Sequence, residues 1–222
     1  MSRKPTISVI AIFYNSSEFC GKCINSILNQ DYPYLDIILV DDCSTDSTKK
    51  ILYEYAEKDP RIRLIINEQN RGISEARNSG LRTVKGECFF FIDGDDFLSK
   101  KESLSILVSH WSPDMDWVSG SYEFVDETGN VLKRNILPTR NCNNRDEILN
   151  NFSEIDFVYT HNRLISSRFK NIFFPAKKMH EDRFWNLQIY SGLNKIIQLS
   201  DVTYSYLSRT SSFSSRSRFR AQ

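Results

Sequence analysis

The 222-residue chain has no apolar run approaching the roughly 20 residues that a bilayer-crossing helix needs, so no such helix is expected. It has almost no excess of either charge. Its 29 Lys and Arg against 28 Asp and Glu leave a formal net charge of +1, which gives no overall electrostatic drive toward nucleic acid. Cysteine is scarce and odd in number: Cys20, Cys23, Cys43, Cys88 and Cys142 are scattered and suggest no disulfide framework. Cys20-Gly21-Lys22-Cys23 has the spacing of a dithiol redox motif. It lacks the tryptophan or proline that such a site prefers, and no second pair exists to complete a zinc site, so these read as ordinary thiols on a helix. No internal repeat is present. No signal peptide is visible either, since residues 1–6 lead directly into a strand-like segment, and the expected compartment is the cytoplasm. What remains is the composition of a soluble globular protein, 40% apolar and 26% charged, long enough for one sizeable core.

One stretch organises the rest. Phe89-Phe90-Phe91-Ile92 reads as a strand buried on both faces, and it runs straight into Asp93-Gly94-Asp95-Asp96. Crowded carboxylates do not all ionise unless a cation or donor sits among them. The cluster therefore suggests a hard divalent cation, Mg²⁺ or Mn²⁺, carrying a phosphate. The alternative is a solvated turn, for which aspartate and glycine are ordinary choices. Gly94 lets the backbone bend tightly and admits a bulky ligand.

Short strands and helices alternate on the way to this stretch. Residues 7–13 form a buried strand that ends in the turn Tyr14-Asn15-Ser16-Ser17, after which Phe19, Cys23, Ile24, Ile27 and Leu28 follow helical spacing. A second strand, 37–40, ends in Asp41-Asp42-Cys43-Ser44. Ser44 or Thr45 then caps a helix that buries Ile51, Leu52, Tyr55 and Ala56 and stops at Asp59-Pro60. After a third strand at 62–66, Asn70-Arg71-Gly72 opens a helix carrying Ile73, Ala76, Gly80, Leu81 and Val84 on one side, and Lys85-Gly86 ends it. Such an alternation predicts a parallel sheet with right-handed crossovers, whose strands all present their carboxyl ends at one ligand-binding edge. Tyr14 and Asn15, Asp41 and Asp42, and Asp93 to Asp96 would meet there. Together they offer an aromatic face, hydrogen-bond acceptors for a base or ribose, and a metal site, which suits a nucleotide diphosphate.

Past Phe97 the alternation breaks. A helix is expected at 103–110, a hairpin from 115–125 and 131–137 around Asp126-Glu127-Thr128-Gly129-Asn130, and a helix at 145–152. Phe173-Phe174-Pro175 then approaches His180-Glu181-Asp182-Arg183, where the acids open a helix. Acids also favour a first helical turn for dipole reasons alone. A last strand covers 196–206. From Val202 onward there are four arginines (Arg209, Arg216, Arg218, Arg220) and no acid, interleaved with Phe213 and Phe219. This tail reads either as a solvated end or as a segment that closes over a ligand and rests on an anionic surface.

Taken in order, several motifs resemble the inverting family-2 glycosyltransferases of GT-A fold that serve bacterial polysaccharide and O-antigen synthesis. They are Ser8-Val9-Ile10 with Tyr14-Asn15, Val40-Asp41-Asp42-Cys43-Ser44-Thr45-Asp46, Asn70-Arg71-Gly72 with Ala76-Arg77-Asn78, Gly86-Glu87 into Phe91-Ile92-Asp93-Gly94-Asp95-Asp96, Phe174-Pro175, and His180-Glu181-Asp182. The resemblance covers almost the whole chain. It implies an α/β, Rossmann-like, mostly parallel sheet flanked by helices, with a smaller acceptor-side hairpin and helices. One domain would span 1–222, with 1–110 binding the nucleotide sugar and 111–222 the acceptor.

The resemblance further implies that Tyr14 packs on a uracil beside Asn15 and that Asp42 accepts the ring N–H. Arg77 and Asn78 line the donor pocket. Asp93 and Asp95 are the two acids of the DxD motif, Asp93 near the ribose and both in reach of a bridging Mn²⁺ or Mg²⁺, while Asp96 orients the site or contacts the sugar. Asp182 is the catalytic base, supported by Glu181. Many relatives place a histidine late in the chain as a further metal ligand. Here Tyr206-Leu207-Ser208-Arg209 has none, so an extra water or phosphate oxygen completes the metal, or Arg209 contributes charge to the diphosphate. His161 and His180 are not nominated in its place. The implied partners are a nucleotide-sugar donor, a glycan or lipid-diphosphate-sugar acceptor, and an anionic membrane surface at the inner face of the plasma membrane.

A sugar-nucleotide nucleotidyltransferase would carry a glycine-rich basic loop after the first strand, where Phe13-Tyr14-Asn15-Ser16 stands. An aspartyl phosphatase would place its acids after the first strand rather than the fourth. A catalytically silent nucleotide-binding partner of another transferase would have no need of both Asp95 and Asp182.

Overall fold

In the computed structural model, which describes residues 4–176 and 178–208, β1 (Ile7–Phe13) is buried along its whole length. Its one polar member, Ser8, is accommodated because its hydroxyl donates to Asp36 at 2.7 Å and accepts the Gly86 N–H at 2.9 Å. The chain continues as α1 (Cys20–Leu28), β2 (Leu35–Asp41), α2 (Thr48–Lys58), β3 (Ile62–Ile66), α3 (Ile73–Leu81) and β4 (Cys88–Asp93). These four strands are parallel in the order β3-β2-β1-β4. Alternate residues of β1 and β4 feed two separate cores. Val9, Ala11, Phe13, Phe90 and Ile92 meet α1, whereas Ile10, Ile12, Phe89 and Phe91 meet the α3 side. Continuous apolar runs are what a sheet covered on both faces requires. Gly80 is where α3 comes closest to β1, since a Cβ there would overlap the Ile10 side chain.

Cys20 and Cys23 are buried on the core face of α1 as free thiols. Burial pushes both above the ordinary thiol range, away from the thiolate that redox exchange needs.

β4 ends at Asp93 and, as expected, the chain turns at Gly94. Gly94 N–H donates to the Ile12 carbonyl at 2.8 Å and Asp96 N–H to that of Asp93 at 2.9 Å, which turns the chain out of β4. A Cβ on Gly94 would overlap the Phe13 ring and lie 2.6 Å from the Ile12 oxygen, so the neighbouring strand already demands this glycine. The chain resumes as β5 (Phe97–Leu98), α4 (Ser103–Ser109), β6 (Trp117–Val125), β7 (Val131–Asn135), β8 (Arg140–Cys142) and α5 (Arg145–Asn150). It then passes through β9 (Arg163–Ser166), α6 (Glu181–Tyr190) and β10 (Ile196–Leu207). The sheet extends across β4-β9-β6-β10-β5, with β6 and β10 parallel and β9 antiparallel to both β4 and β6. The expected hairpin is present as β6 and β7, its loop tied by Asp126 accepting the N–H groups of Thr128 and Asn130. The sequence pattern showed neither β8 nor β9, and the helix expected to reach residue 152 ends at Asn150 before a 3-10 turn at Phe152–Glu154. No helix among the described residues is long and apolar enough to cross a membrane.

Candidate active site

β2, β1 and β4 are neighbours, and their register pairs Phe13 with Asp41 and Ile12 with Asp93, so three strand ends meet at one edge. Tyr14, immediately past β1, is 47% exposed and offers its ring to solvent. Asn15 is committed to the neighbouring loop: its Oδ1 accepts the Thr45 N–H at 2.8 Å and its own N–H donates to Ser44 Oγ at 2.9 Å. Asp42 is buried and accepts from Asn67 Nδ2 (2.8 Å), Arg71 N (3.2 Å) and Gly72 N (2.8 Å). It thereby holds the loop that launches α3, where Gly72 takes φ +83°.

α3 carries Arg77, 2% exposed, into the middle of the site. Its Nη2 reaches Asp93 Oδ1 at 3.2 Å and its Nη1 reaches Glu181 Oε1 at 2.7 Å. One guanidinium thus ties the end of β4 to the first turn of α6. The second oxygen of Asp93 meets His161 Nε2 at 2.9 Å. Burial alone would raise the Asp93 pKa, but the charges of His161 and Arg77 outweigh it and hold the carboxyl well below its ordinary range. Asp96 goes the other way. Burial first, then repulsion from Asp95 and Asp93, raises it, although Tyr204 Oη (2.8 Å) and Leu207 N (2.9 Å) both donate to it. Asp95 is half-buried between them.

Asn78, next to Arg77, grips the backbone of Phe174 with both ends of its amide, at 3.0 and 2.8 Å. The Phe174 ring lies flat against Trp185 of α6, centroids 4.7 Å apart, and Trp185 also packs edge-on to Phe89 and Phe91 of β4. Asn78 therefore acts on α6 through packing, while Arg77 acts on it through charge. Both fix where Asp182 stands. That residue is half-buried in the first turn of α6, with Oδ1 accepting the Arg183 N–H at 2.8 Å.

Among the described residues four non-glycines adopt the left-handed conformation: Asn15 (φ 47°), Cys43 (62°), Asn162 (62°) and His180 (58°). Each is chain neighbour to a residue of this site: Tyr14, Asp42, His161 and Glu181. Backbone strain of this kind persists where the surroundings over-determine it, and it concentrates at functional sites.

A model of the family described as glycosyl transferase family 2 matches residues 8–173. The chain belongs to glycosyl transferase family 2. Glycosyltransferase GlyA of Streptococcus pneumoniae is 30% identical over 94% of this chain and 31% of its own length. Among solved structures, residues 1–349 of S. aureus TarS in complex with UDP-GlcNAc superpose with a TM-score of 0.76 at 24% identity, covering 95% of this chain and 60% of that one. Mannosyltransferase PcManGT from Pyrobaculum calidifontis, in complex with GDP-Man and Mn²⁺, superposes with a TM-score of 0.73 at 21% identity, covering 99% and 62%. The last two likenesses concern the fold, and this chain spans about a third to two thirds of these relatives.

Of the residues singled out in this family-2 chain, Arg77 touches both Asp93 and Glu181, and Asp95 and Asp96 follow Asp93 in the turn. Tyr14, Asn15 and Asp42 stand at the neighbouring strand ends, and Arg209 lies outside the described residues. His161 was missed. β9 pairs Phe89 with Ile165 beside β4, and His161, two residues before β9 begins, reaches Asp93 from there. That signal becomes readable only once β9 is known to be a strand. Among the described residues no group of three or more His, Cys, Asp or Glu side chains forms a metal cage.

Proposed function

We propose that the chain is a metal-dependent inverting hexosyltransferase, moving a sugar from a nucleotide diphosphate, UDP in the first instance, to a hydroxyl of a glycan or lipid-diphosphate-linked acceptor. Residues 1–110 hold the donor and 111–222 the acceptor, and the arginine-rich tail meets an anionic surface. The observation that carries the reading is the Arg77 bridge between Asp93 and Glu181, which holds the donor edge of the sheet against the helix bearing Asp182.

Tyr14 presents a ring for the base to stack on. Asp42 already accepts three N–H groups, and a carboxylate has about four lone-pair directions, so a uracil N–H takes the remaining one. The residues fit a hard cation. Mg²⁺-type ions use one or two carboxylates with substrate phosphates and water rather than a complete protein cage. Burial first, then repulsion from Asp95 and Asp93, raises Asp96, so three acids are crowded at this strand end, which supports a cation there. Asp95, with Asp93 behind it, would hold the ion. When bound, it neutralises charge on the departing diphosphate. Asp182 accepts the proton of the attacking hydroxyl, help typically worth about 10²- to 10⁴-fold. Because it comes from α6 and the leaving group rests on β4, base and leaving group approach from different segments, as one in-line displacement requires.

A screen of UDP- and GDP-sugars with Mg²⁺ or Mn²⁺ tests the reading. A UDP-hexose should be consumed and its product should show the anomeric proton coupling of a β-linkage. An α-linked product, or turnover of no nucleotide sugar, would sink it.

A further inference from the structure

His161 is 6% exposed and lies where several parts of the site meet. Its Nε2 stands 2.9 Å from Asp93 Oδ2 and 3.2 Å from Arg77 Nη2, and its Nδ1 stands 3.4 Å from Tyr206 Oη. Its ring lies against that of Tyr204, centroids 5.8 Å apart. Asp93 is held in its charged form, so it can only accept. A ring nitrogen 2.9 Å from a carboxylate oxygen must then carry the proton, and His161 donates to Asp93 through Nε2. The same nitrogen cannot also accept from Arg77, so that contact is close packing rather than a second bond.

Asn162 sets the ring in place. It takes φ +62°, a left-handed conformation that asparagine adopts more readily than most residues. Its Nδ2 donates to the Gly120 carbonyl at 2.6 Å and to the Ser121 carbonyl at 3.0 Å, and its Oδ1 accepts the Thr203 hydroxyl at 2.5 Å. The side chain is therefore wedged between β6 and β10, where their register shifts between Gln198 and Tyr204. A Cβ on Gly120 would lie 2.1 Å from Thr203 Oγ1, so the strands leave no room for a side chain beside the wedge.

An arginine beside a carboxylate frequently takes both of its oxygens with two parallel N–H bonds. Arg77 does not. Its Nη2 has one oxygen of Asp93 and its Nη1 goes to Glu181, while the other Asp93 oxygen is held by His161. We propose that His161, set by Asn162, is a positioning residue: by occupying Asp93 Oδ2 it keeps the Arg77 fork divided between β4 and α6, and so keeps Asp182 in reach of the acceptor hydroxyl. Without His161 the Asp93 carboxylate is free to turn and take two N–H groups of Arg77, which draws the guanidinium off Glu181. The effect on turnover rests on the transferase reading; the coupling between the side chains does not.

His161→Leu should lower kcat at least about tenfold, the loss expected for one charge-assisted hydrogen bond, while the calorimetric affinity for UDP with Mn²⁺ changes much less. His161→Gln, whose amide can donate to the same oxygen, should recover part of the rate. Asn162→Gly, which keeps the backbone conformation and loses the wedge, should show the same split between kcat and affinity. In a Glu181→Leu background, where the link to α6 is already cut, His161→Leu should cost little more. The melting temperatures of wild type, both single variants and the double variant should be non-additive in the same sense. Additive effects of the two substitutions would overturn the proposal, as would equal losses of affinity and rate. A His161→Gln no better than His161→Leu, or an Asn162→Gly with wild-type kcat, would overturn it too. Melting needs no substrate: if the wild type turns over no nucleotide sugar, the transferase reading falls while the melting cycle still decides the coupling.

Discussion

Asp93 and Asp96 lie one turn apart, yet their surroundings push them in opposite directions, and the difference assigns them different work. Asp93 is kept charged by Arg77 and His161, so it serves as an anchor for cations, including the Arg77 link to Glu181. Asp96 is spent on Tyr204 and Leu207 and fixes where β10 ends. Asp95, half-buried in the same turn, is the acid on which metal-dependent donor binding should hinge. Asp95→Asn should abolish transfer and metal-stimulated binding of UDP while preserving the circular dichroism and melting of the wild type. Full activity of the variant in chelator-treated buffer would contradict the metal assignment. Asp182 should behave differently. Asp182→Asn should bind donor nearly as wild type yet turn over at least about 10²-fold more slowly, as expected of a group that acts on the acceptor proton. Calorimetry of donor binding beside the rate separates the two, since an equal loss of affinity would make Asp182 a binding residue. Arg77→Lys keeps a charge but not a fork that can reach two carboxylates at once. Its deficit should therefore fall on kcat more than on donor affinity.

Among elements, the three outer parallel strands are cross-linked by one ion pair. Arg63 on β3 meets both oxygens of Asp36 on β2 at 2.7 Å, Ser8 on β1 donates to the same carboxylate at 2.7 Å, and Arg63 continues to the Thr83 carbonyl past α3 at 2.8 Å. Burial would raise the Asp36 pKa, but the hydrogen bonds from Arg63 and Ser8 and the Arg63 charge prevail and lower it. A carboxyl lowered in the folded state adds stability above its unfolded pKa of about 4, and that stability is lost as pH falls through the folded value. Asp36→Asn should therefore be less stable than wild type in urea at pH 7, with the gap narrowing as pH drops below about 4. A gap independent of pH would mean that Asp36 acts through shape alone. The strands themselves were legible because unbroken apolar runs at short spacing allow few arrangements other than a parallel sheet. Arg163-Leu164-Ile165-Ser166 has two apolar residues and no turn signal, and only the exposed flanks of β4 and β6 make it a strand. His161, two residues before this strand, was set aside for that reason, although its Nε2 meets Asp93.

At the scale of the whole molecule, the order of acids along the chain was enough to predict which residues the sheet gathers at one edge, but not what each acid bonds to. Sequence shows Asp42 and Asn15 at strand ends; it does not show that loop amides consume most of their hydrogen-bonding capacity. The tail is the remaining expectation, and the structure shows where it departs. Leu207 N–H donates to Asp96 at 2.9 Å and Ser208 N–H to the Val125 carbonyl at 2.8 Å, so the described chain ends at Ser208, close to the acid cluster. Four arginines without an opposing acid follow that point in a chain whose net charge is only +1. Each basic side chain near an anionic bilayer contributes on the order of 1 kcal/mol, declining with salt, so four suffice for reversible attachment without a spanning helix. Starting beside the donor site, the same charges can also meet the diphosphate of a lipid-linked acceptor. Truncation after Ser208 should lower binding to phosphatidylserine-containing vesicles and raise the KM for a lipid-diphosphate acceptor, both more strongly at low salt than at high. Neutral vesicles should show little binding with or without the tail. Unchanged vesicle binding together with unchanged kinetics would reduce the segment to a solvated end and leave the 4–208 body to find its acceptor alone.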